Sequence, residues 1–157
     1  MSQIIAPTAG RVFQFTTASG ADTIEVGRKL VELLAPPHLL ILRGDLGAGK
    51  TTLVKGIAEA LDAAEADEVT SPTFTLLHEY DGTRQDKPIK LFHLDVYRLE
   101  GERQLETLGL DDLLTSDALV LIEWGEKFKS IQKKSTGEIV IVNTGGDARQ
   151  ITVTLKG

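Results

Sequence analysis

Two short segments of the chain, residues 38–42 and 118–122, are almost wholly apolar. Uninterrupted apolar runs of this length are typical of parallel strands, because helices cover both faces of such a sheet. Apolar residues at helical spacing follow in residues 21–35 and again after Lys50. The pattern therefore predicts an α/β sandwich with parallel strands at its centre.

Shorter patterns add antiparallel strands to this sheet. Residues 74–80 and 89–97 are strand-like and flank a turn-rich segment, which predicts one hairpin. Residues 139–142 and 150–155, around Gly145-Gly146, predict a closing pair. The predicted sheet is therefore mixed, with antiparallel hairpins at its edges.

The N-terminal part contains a predicted strand and helix. Residues 11–17 alternate between polar and apolar and predict a strand, after which Ser19 is a candidate cap for the helix at 21–35. Gly27 lies on the apolar face of this helix, where it either permits close packing or is a tolerated weakness. Residues 101–114 are helical in composition but interrupted by Gly109, which predicts two short helices.

The length and the charge narrow the class of protein. The 157 residues are expected to form a single domain, residues 1–157, with a net charge of −6 and no cysteine. The acidity argues against a protein that binds RNA or DNA by itself, because phosphate neutralisation needs a basic face. Neither a signal peptide nor an apolar run of about 20 residues is recognised, so we expect a soluble protein with no membrane contact.

The segment from Gly44 to Thr51 has the pattern Gly-x-x-x-x-Gly-Lys-Thr between an apolar strand and a helix. Glycines at 44, 47 and 49 allow backbone N–H groups to point inward at anionic oxygens, and the helix adds the positive end of its dipole. Lys50 can reach the β- and γ-phosphates, and the Thr51 hydroxyl can ligate Mg²⁺. The alternative, a glycine-rich turn without a ligand, has little weight in this context. The segment predicts binding of a nucleoside triphosphate and its Mg²⁺-dependent hydrolysis.

Two carboxylates are candidate partners of this loop. Glu123 directly follows the apolar run 118–122, where a buried carboxylate needs a compensating cation such as Mg²⁺; the alternative is a solvent-exposed acid at the end of a strand. Asp95 shares a strand face with His93 and Tyr97, which suits a site that orients water or a metal, or else is the polar outer face of an edge strand. Trp124 either caps the core, which the sequence slightly favours, or covers the nucleotide site or a partner surface.

The segment 71–74, Ser71-Pro72-Thr73-Phe74, carries hydroxyl groups that could contact the γ-phosphate or merely shape a turn. Together these segments resemble the TsaE family, small ATPases of bacterial tRNA threonylcarbamoyladenosine biosynthesis. The resemblance extends over about residues 40 to 127, with the motifs in the family's order. The motifs are Gly44-Asp45-Leu46-Gly47-Ala48-Gly49-Lys50-Thr51-Thr52, Ser71-Pro72-Thr73-Phe74-Thr75-Leu76, His93-Leu94-Asp95-Val96-Tyr97-Arg98-Leu99 and Leu121-Ile122-Glu123-Trp124.

The resemblance implies a P-loop NTPase-type three-layer sandwich with a mixed, mainly parallel central sheet, in a cytoplasmic protein. It implies ATP and Mg²⁺ as cofactors, with Thr51 and Glu123 as metal ligands and with Lys50, Asp95 and Glu123 as the catalytic residues. Asp95 could orient water, support the metal or serve a partner interface. The implied nucleotide-binding residues are Asp45, Leu46, Gly47, Ala48, Gly49, Lys50, Thr51 and Thr52.

The resemblance also implies a biological role. ATP hydrolysis would reset the TsaB–TsaD heterodimer between rounds, rather than transfer the threonylcarbamoyl group, and tRNA would be met only through that complex. A small-molecule kinase is the alternative, although residues 62–70 carry none of the arginines expected of a kinase lid. A non-catalytic nucleotide-dependent module is a third possibility, against which the retention of Lys50, Thr51, Glu123 and Asp95 counts.

Overall fold

The computed structural model describes residues 2–5, 10–45, 47–72 and 76–156. The strands are β1 (Ser2–Ile5), β2 (Gly10–Thr17), β3 (His38–Arg43), β4 (Leu77–Arg84), β5 (Lys87–Asp95), β6 (Ala118–Glu123), β7 (Gly137–Gly145) and β8 (Ala148–Lys156). The helices are α1 (Gly20–Leu33), α2 (Lys50–Ala60), α3 (Glu102–Leu108), α4 (Leu110–Leu113) and α5 (Lys129–Lys134), with 3-10 turns at Ala66–Glu68 and Gly125–Lys127.

Within these residues, eight strands form one mixed sheet in the order β1-β2-β8-β7-β3-β6-β5-β4. The pairings of β3 with β7, β3 with β6 and β5 with β6 are parallel. The pairings toward both edges are antiparallel. The predicted mixed sheet with a parallel centre and antiparallel flanks is confirmed.

Helices cover both faces of the sheet, which gives three layers. On one face α1 and α2 pack on the sheet, with Leu30, Leu53 and Ile57 fully buried. On the other face the apolar side chains of α3, α4 and α5 pack on β3, β5 and β6. The central strands are apolar on both sides because neither of their faces meets water.

Features that depend on neighbouring residues agree with the sequence pattern. Ser19 caps α1, since its side-chain oxygen accepts a hydrogen bond from the backbone N–H of Asp22 at 3.1 Å. The helical segment after residue 100 divides at Gly109, whose φ of 77° ends α3. The hairpin of β4 and β5 is also present, although the predicted strand start at residue 74 lies outside the described residues.

Other elements differ from the prediction. β5 ends at Asp95, so Tyr97 lies beyond the strand and does not share its face. β1 and α5 were not predicted. α5 is six residues long and buries Ile131, while its lysines face outward, so it presents too short a pattern to detect.

Gly27 permits close packing, which settles the choice left open by the sequence. A Cβ at Gly27 would lie 2.6 Å from the carbonyl oxygen of Leu53, and one at Gly56 would lie 2.1 Å from that of Ile24. The two glycines therefore form the contact between α1 and α2. Since α2 begins at Lys50, this contact also positions the start of the helix.

Candidate nucleotide site

Residues 44–49, called here the glycine-rich loop, connect the carboxyl end of β3 to the start of α2. Gly47 and Gly49 have φ angles of 79° and 107°, in the left-handed region that favours glycine. A side chain at Gly44 would meet the carbonyl oxygen of Ile141 at 2.9 Å. These positions need glycine, which supports the reading of the loop as a backbone cradle.

A cavity of about 630 Å³ opens beside this loop. It contains Lys50, Thr51, Asp95 and Glu123, which the sequence singled out from three separate segments. The cavity is lined by Gly47, Gly49, Lys50, Thr51, Thr52, Ser71, Asp95, Tyr97, Glu123, Trp124 and Arg149. The carboxyl ends of parallel strands meet at one edge of the sheet, which is why these segments converge.

The carboxylate of Glu123 is buried at the end of β6 between two nitrogen groups. Lys50 Nζ lies 3.1 Å from Glu123 Oε1, and His93 Nε2 lies 2.7 Å from Glu123 Oε2. A carboxylate only accepts hydrogen bonds, so His93 must carry its proton on Nε2. Among the described residues, His93 Nδ1 has no hydrogen-bond partner although it is buried. The alternative of a solvent-exposed acid at position 123 is therefore wrong.

These contacts determine the ionisation of Glu123. Burial by itself would raise the pKa of the carboxyl group, because it disfavours the charged form. The hydrogen bond and charge of His93, followed by the charge and hydrogen bond of Lys50, outweigh burial and hold the pKa of Glu123 below its ordinary value. Glu123 is therefore a carboxylate at neutral pH.

Asp95 lies directly beside Glu123. The two residues pair across the parallel strands β5 and β6, and Asp95 is buried. Asp95 Oδ1 accepts a hydrogen bond from the backbone N–H of Tyr97 at 2.9 Å, in the turn that ends β5. Because β5 lies between β4 and β6, the alternative of a polar outer face on an edge strand is wrong.

Tyr97 and Trp124 form an aromatic pair at the cavity. Their ring centroids are 4.8 Å apart, and the side chains are 55% and 39% exposed. Lys127 Nζ lies 5.2 Å from the centroid of the Tyr97 ring. Trp124 has a φ of 67°, so the chain turns sharply after β6. Trp124 does not cap the core, which corrects the reading that the sequence slightly favoured.

The predicted nucleotide-binding residues are not all in one place. Asp45 and Ala48 line a second cavity of about 500 Å³, which lies between the carboxyl ends of β3 and β7 and shares Lys50 and Trp124 with the first. Leu46, Thr73 and Phe74 lie outside the described residues. The role of Leu46 in nucleotide binding and the contact of segment 71–74 with the γ-phosphate therefore stay predictions.

Arg149, at the start of β8, was missed by the sequence reasoning. Its guanidinium donates hydrogen bonds to the carbonyl oxygens of Ala48 at 2.7 Å and Gly47 at 3.2 Å. It lines the cavity as well. A single arginine about 100 residues from the loop carries no local signal, and only the pairing of β7 with β8 brings it there.

The cavity is lined by oxygen-bearing side chains of the kind that a magnesium ion takes. Within the described part of the chain, no three His, Cys, Asp or Glu residues form a metal-binding group. Mg²⁺ beside phosphates does not need such a group, since it retains water and takes one or two protein oxygens plus phosphate oxygens. Thr51 and Glu123 line the same cavity and supply oxygen donors of this kind.

The described residues contain no helix with the length and apolarity required to cross a bilayer.

Comparison with known proteins gives a consistent family. The model of the family "Threonylcarbamoyl adenosine biosynthesis protein TsaE" matches residues 17–151.

Individual relatives agree with the family match. The tRNA threonylcarbamoyladenosine biosynthesis protein TsaE of Bacillus subtilis is 38% identical over 144 residues, which cover 92% of this chain and 86% of the relative. That of Haemophilus influenzae is 35% identical over 133 residues, with 82% and 80% covered. The crystal structure of Bacillus subtilis YdiB is 30% identical, with a TM-score of 0.66 and coverage of 96% of this chain and 89% of that one.

Proposed function

The chain belongs to the TsaE family, and we propose that within tRNA threonylcarbamoyladenosine biosynthesis it is a Mg²⁺-dependent ATPase that resets the TsaB–TsaD heterodimer. The observation that carries the ATPase proposal is the ion pair of Lys50 with the buried Glu123 beside the glycine-rich loop. Both partners belong to the chemistry of phosphate and metal binding, and they are held at the site in advance.

The ion pair has a direct role in this proposal. A buried carboxylate that loses its partners is strongly destabilised, so the contacts of Glu123 with His93 and Lys50 stabilise it before nucleotide binds. A bound triphosphate would offer Lys50 a stronger anionic partner, and the Glu123 oxygen that Lys50 now contacts would then be available to a metal ion. Mg²⁺ supplies positive charge to the phosphates, and Thr51 and Glu123 would hold it.

His93 and Asp95 complete the proposed chemistry. His93 donates from Nε2 to the Glu123 oxygen that Lys50 does not contact, and therefore keeps the carboxylate oriented when Lys50 leaves. Asp95 is next to Glu123 and can accept a hydrogen bond from the water that attacks the γ-phosphate, or from water on the metal.

The partner complex is proposed from the family and is compatible with the surface. A net charge of −6 disfavours direct binding of tRNA, so the contact with tRNA is through the complex. The exposed pair of Tyr97 and Trp124 places aromatic surface beside the cavity, a composition that is enriched in protein interfaces. A partner bound there would sense whether nucleotide is present.

Phosphate release tests both parts of the proposal. We expect slow release by the protein with ATP and Mg²⁺, none with EDTA, and faster release with purified TsaB–TsaD. Glu123→Gln should lower turnover about tenfold or more, as loss of a metal ligand or its support does. Glu138→Gln is the matched control, because Glu138 is a half-exposed glutamate on β7 that pairs with Arg43.

The outcomes separate the alternatives. Equal turnover of Glu123→Gln and Glu138→Gln would contradict the metal and ion-pair assignment. Phosphate release that ignores TsaB–TsaD would contradict the reset role. Transfer of phosphate to a metabolite in place of water would support a kinase and overturn the proposed hydrolysis.

A further inference from the structure

The guanidinium of Arg149 joins the glycine-rich loop to the turn between β7 and β8. Beyond its bonds to Gly47 and Ala48, Nη1 donates to the carbonyl oxygens of Gly146 at 2.7 Å and Ala148 at 2.8 Å. One rigid cation therefore binds two carbonyl groups in each of two segments that lie about 100 residues apart. This number of bonds fixes the orientation of a planar guanidinium.

The carbonyl groups that Arg149 holds belong to the cradle itself. In a loop where glycines with positive φ turn N–H groups toward an anion, the carbonyl groups face the other way and need their own donors. Arg149 provides a donor to each of two neighbouring carbonyl groups, those of Gly47 and Ala48. A Cβ at Gly49 would lie 3.6 Å from Arg149 Nε, so the arginine packs directly on the loop.

Within the described residues, the guanidinium of Arg149 donates its hydrogen bonds to backbone carbonyl groups. In residues 10–45, 47–72 and 76–156, the ion pairs that the structure forms do not include Arg149. The other cation that lines the cavity, Lys50, is paired with Glu123. A carboxylate partner would hold a surface arginine equally well but would cancel its field at the phosphates.

We propose that Arg149 is a positioning residue for the nucleotide: its guanidinium holds the carbonyl groups of Gly47 and Ala48 and thereby keeps the N–H groups of the glycine-rich loop ordered for the phosphates. The inference rests on the proposed nucleotide binding. It assigns to the β7–β8 hairpin a role in the site that no motif of the sequence indicates.

The test compares Arg149→Gln with Arg149→Lys. Lysine keeps the positive charge, but its single ammonium group cannot reproduce the planar set of N–H donors of the guanidinium. Arg28→Gln is the matched control for net charge, because Arg28 lies on α1 in ion pairs with Glu25 and Glu59. The first measurement is the affinity for ADP and ATP by calorimetry. The second is amide hydrogen exchange of the described loop residues 47–49 without nucleotide.

Both Arg149 variants should weaken ADP and ATP binding about tenfold or more, the factor that corresponds to one hydrogen bond from a charged group. The KM for ATP should rise by a similar factor while kcat at saturating ATP changes much less. Loop amides should exchange faster in both variants, whereas Arg28→Gln should match the wild-type protein in every measurement.

Each other result overturns the inference. Wild-type affinity in Arg149→Lys would mean that charge alone matters, and an equal loss in Arg28→Gln would mean that only net charge matters. Unchanged loop exchange would show that the arginine does not order the loop. If Arg149→Gln does not fold, Arg149→Lys decides. If the wild-type protein does not bind nucleotide, the proposed function fails, while the exchange measurement still tests the positioning role.

Discussion

Replacement of Gly56 by alanine should lower the free energy of unfolding by about 2 kcal/mol. Gly56 lies at the contact of α1 with α2, where an added Cβ would be 2.1 Å from the carbonyl oxygen of Ile24. Cβ atoms essentially never approach another atom closer than 3.0 Å, so the helices would have to move apart by about 0.9 Å.

The magnitude follows from two opposing contributions. Alanine is a better helix former than glycine and would stabilise the variant by about 1 kcal/mol. Overpacking of a core costs about 1–3 kcal/mol, and the upper end applies here because the obstructing atom belongs to the backbone and cannot rotate away. The close approach of the Leu53 and Ile57 backbone to Gly27 would loosen as the helices separate. The clash therefore outweighs the propensity, and the sign of the change distinguishes the two contributions.

Urea denaturation followed by far-ultraviolet circular dichroism measures this change, provided that the m-value is unaltered. Gly20→Ala on α1 is the matched control, because none of the described atoms would lie within 4 Å of the new Cβ. It should differ from the wild-type protein by less than about 0.5 kcal/mol. If Gly56→Ala proved more stable than the wild-type protein, helix propensity would dominate and the close contact between α1 and α2 would be refuted.

Three further predictions concern the cavity. Lys50→Ala should weaken ATP binding, because it removes a charge-assisted phosphate contact; unchanged affinity in calorimetry would contradict the assigned cradle. Asp95→Ala should preserve nucleotide binding and lower turnover in a phosphate-release assay, and full turnover would remove Asp95 from the proposed chemistry. Because the pKa of Glu123 is lowered on folding, its contribution to stability is complete above the ordinary value of 4.5 and is lost as the pH falls through the lower folded value. Acidification should therefore lower the free energy of unfolding of Glu123→Gln less than that of the wild-type protein. If the free energy of unfolding fell equally with pH in both proteins, the lowered pKa of Glu123 would be contradicted.

The architecture could be predicted largely because its central strands are unusual in composition. Residues 38–42 and 118–122 are apolar on both faces, and the structure pairs them in parallel at the centre of the sheet. The order of the strands could not be predicted, since β7 lies beside β3 but is separated from it by three other strands along the chain. Strand order depends on which strand edges pair during folding. The alternation of apolar and polar residues along a strand contains no information about this.

In the candidate site, too, some features could be predicted from the sequence and others could not. The glycine-rich loop and Lys50 follow from contiguous residues, and Glu123 follows from its place directly after an apolar run. Asp95 was singled out by the polar strand face that it was predicted to share with His93 and Tyr97. The contact of His93 with Glu123 was not predicted, because it forms between strands 30 residues apart. The exposure of Trp124 could not be inferred either, since an apolar ring next to a buried strand is more often part of the core.

The sequence by itself determined the chemistry that neighbouring residues provide: the glycine-rich cradle with its lysine, the cap of α1 at Ser19, and the membership of a family through ordered motifs. The tertiary structure alone decided the contacts of distant residues, including the contact of Gly27 with α2 and the hold of Arg149 on the loop. The physical reason is one of range. Capping, periodicity and backbone freedom act within a few residues, whereas the partner of a buried charge or of an exposed carbonyl group is selected by the packing of the whole sheet.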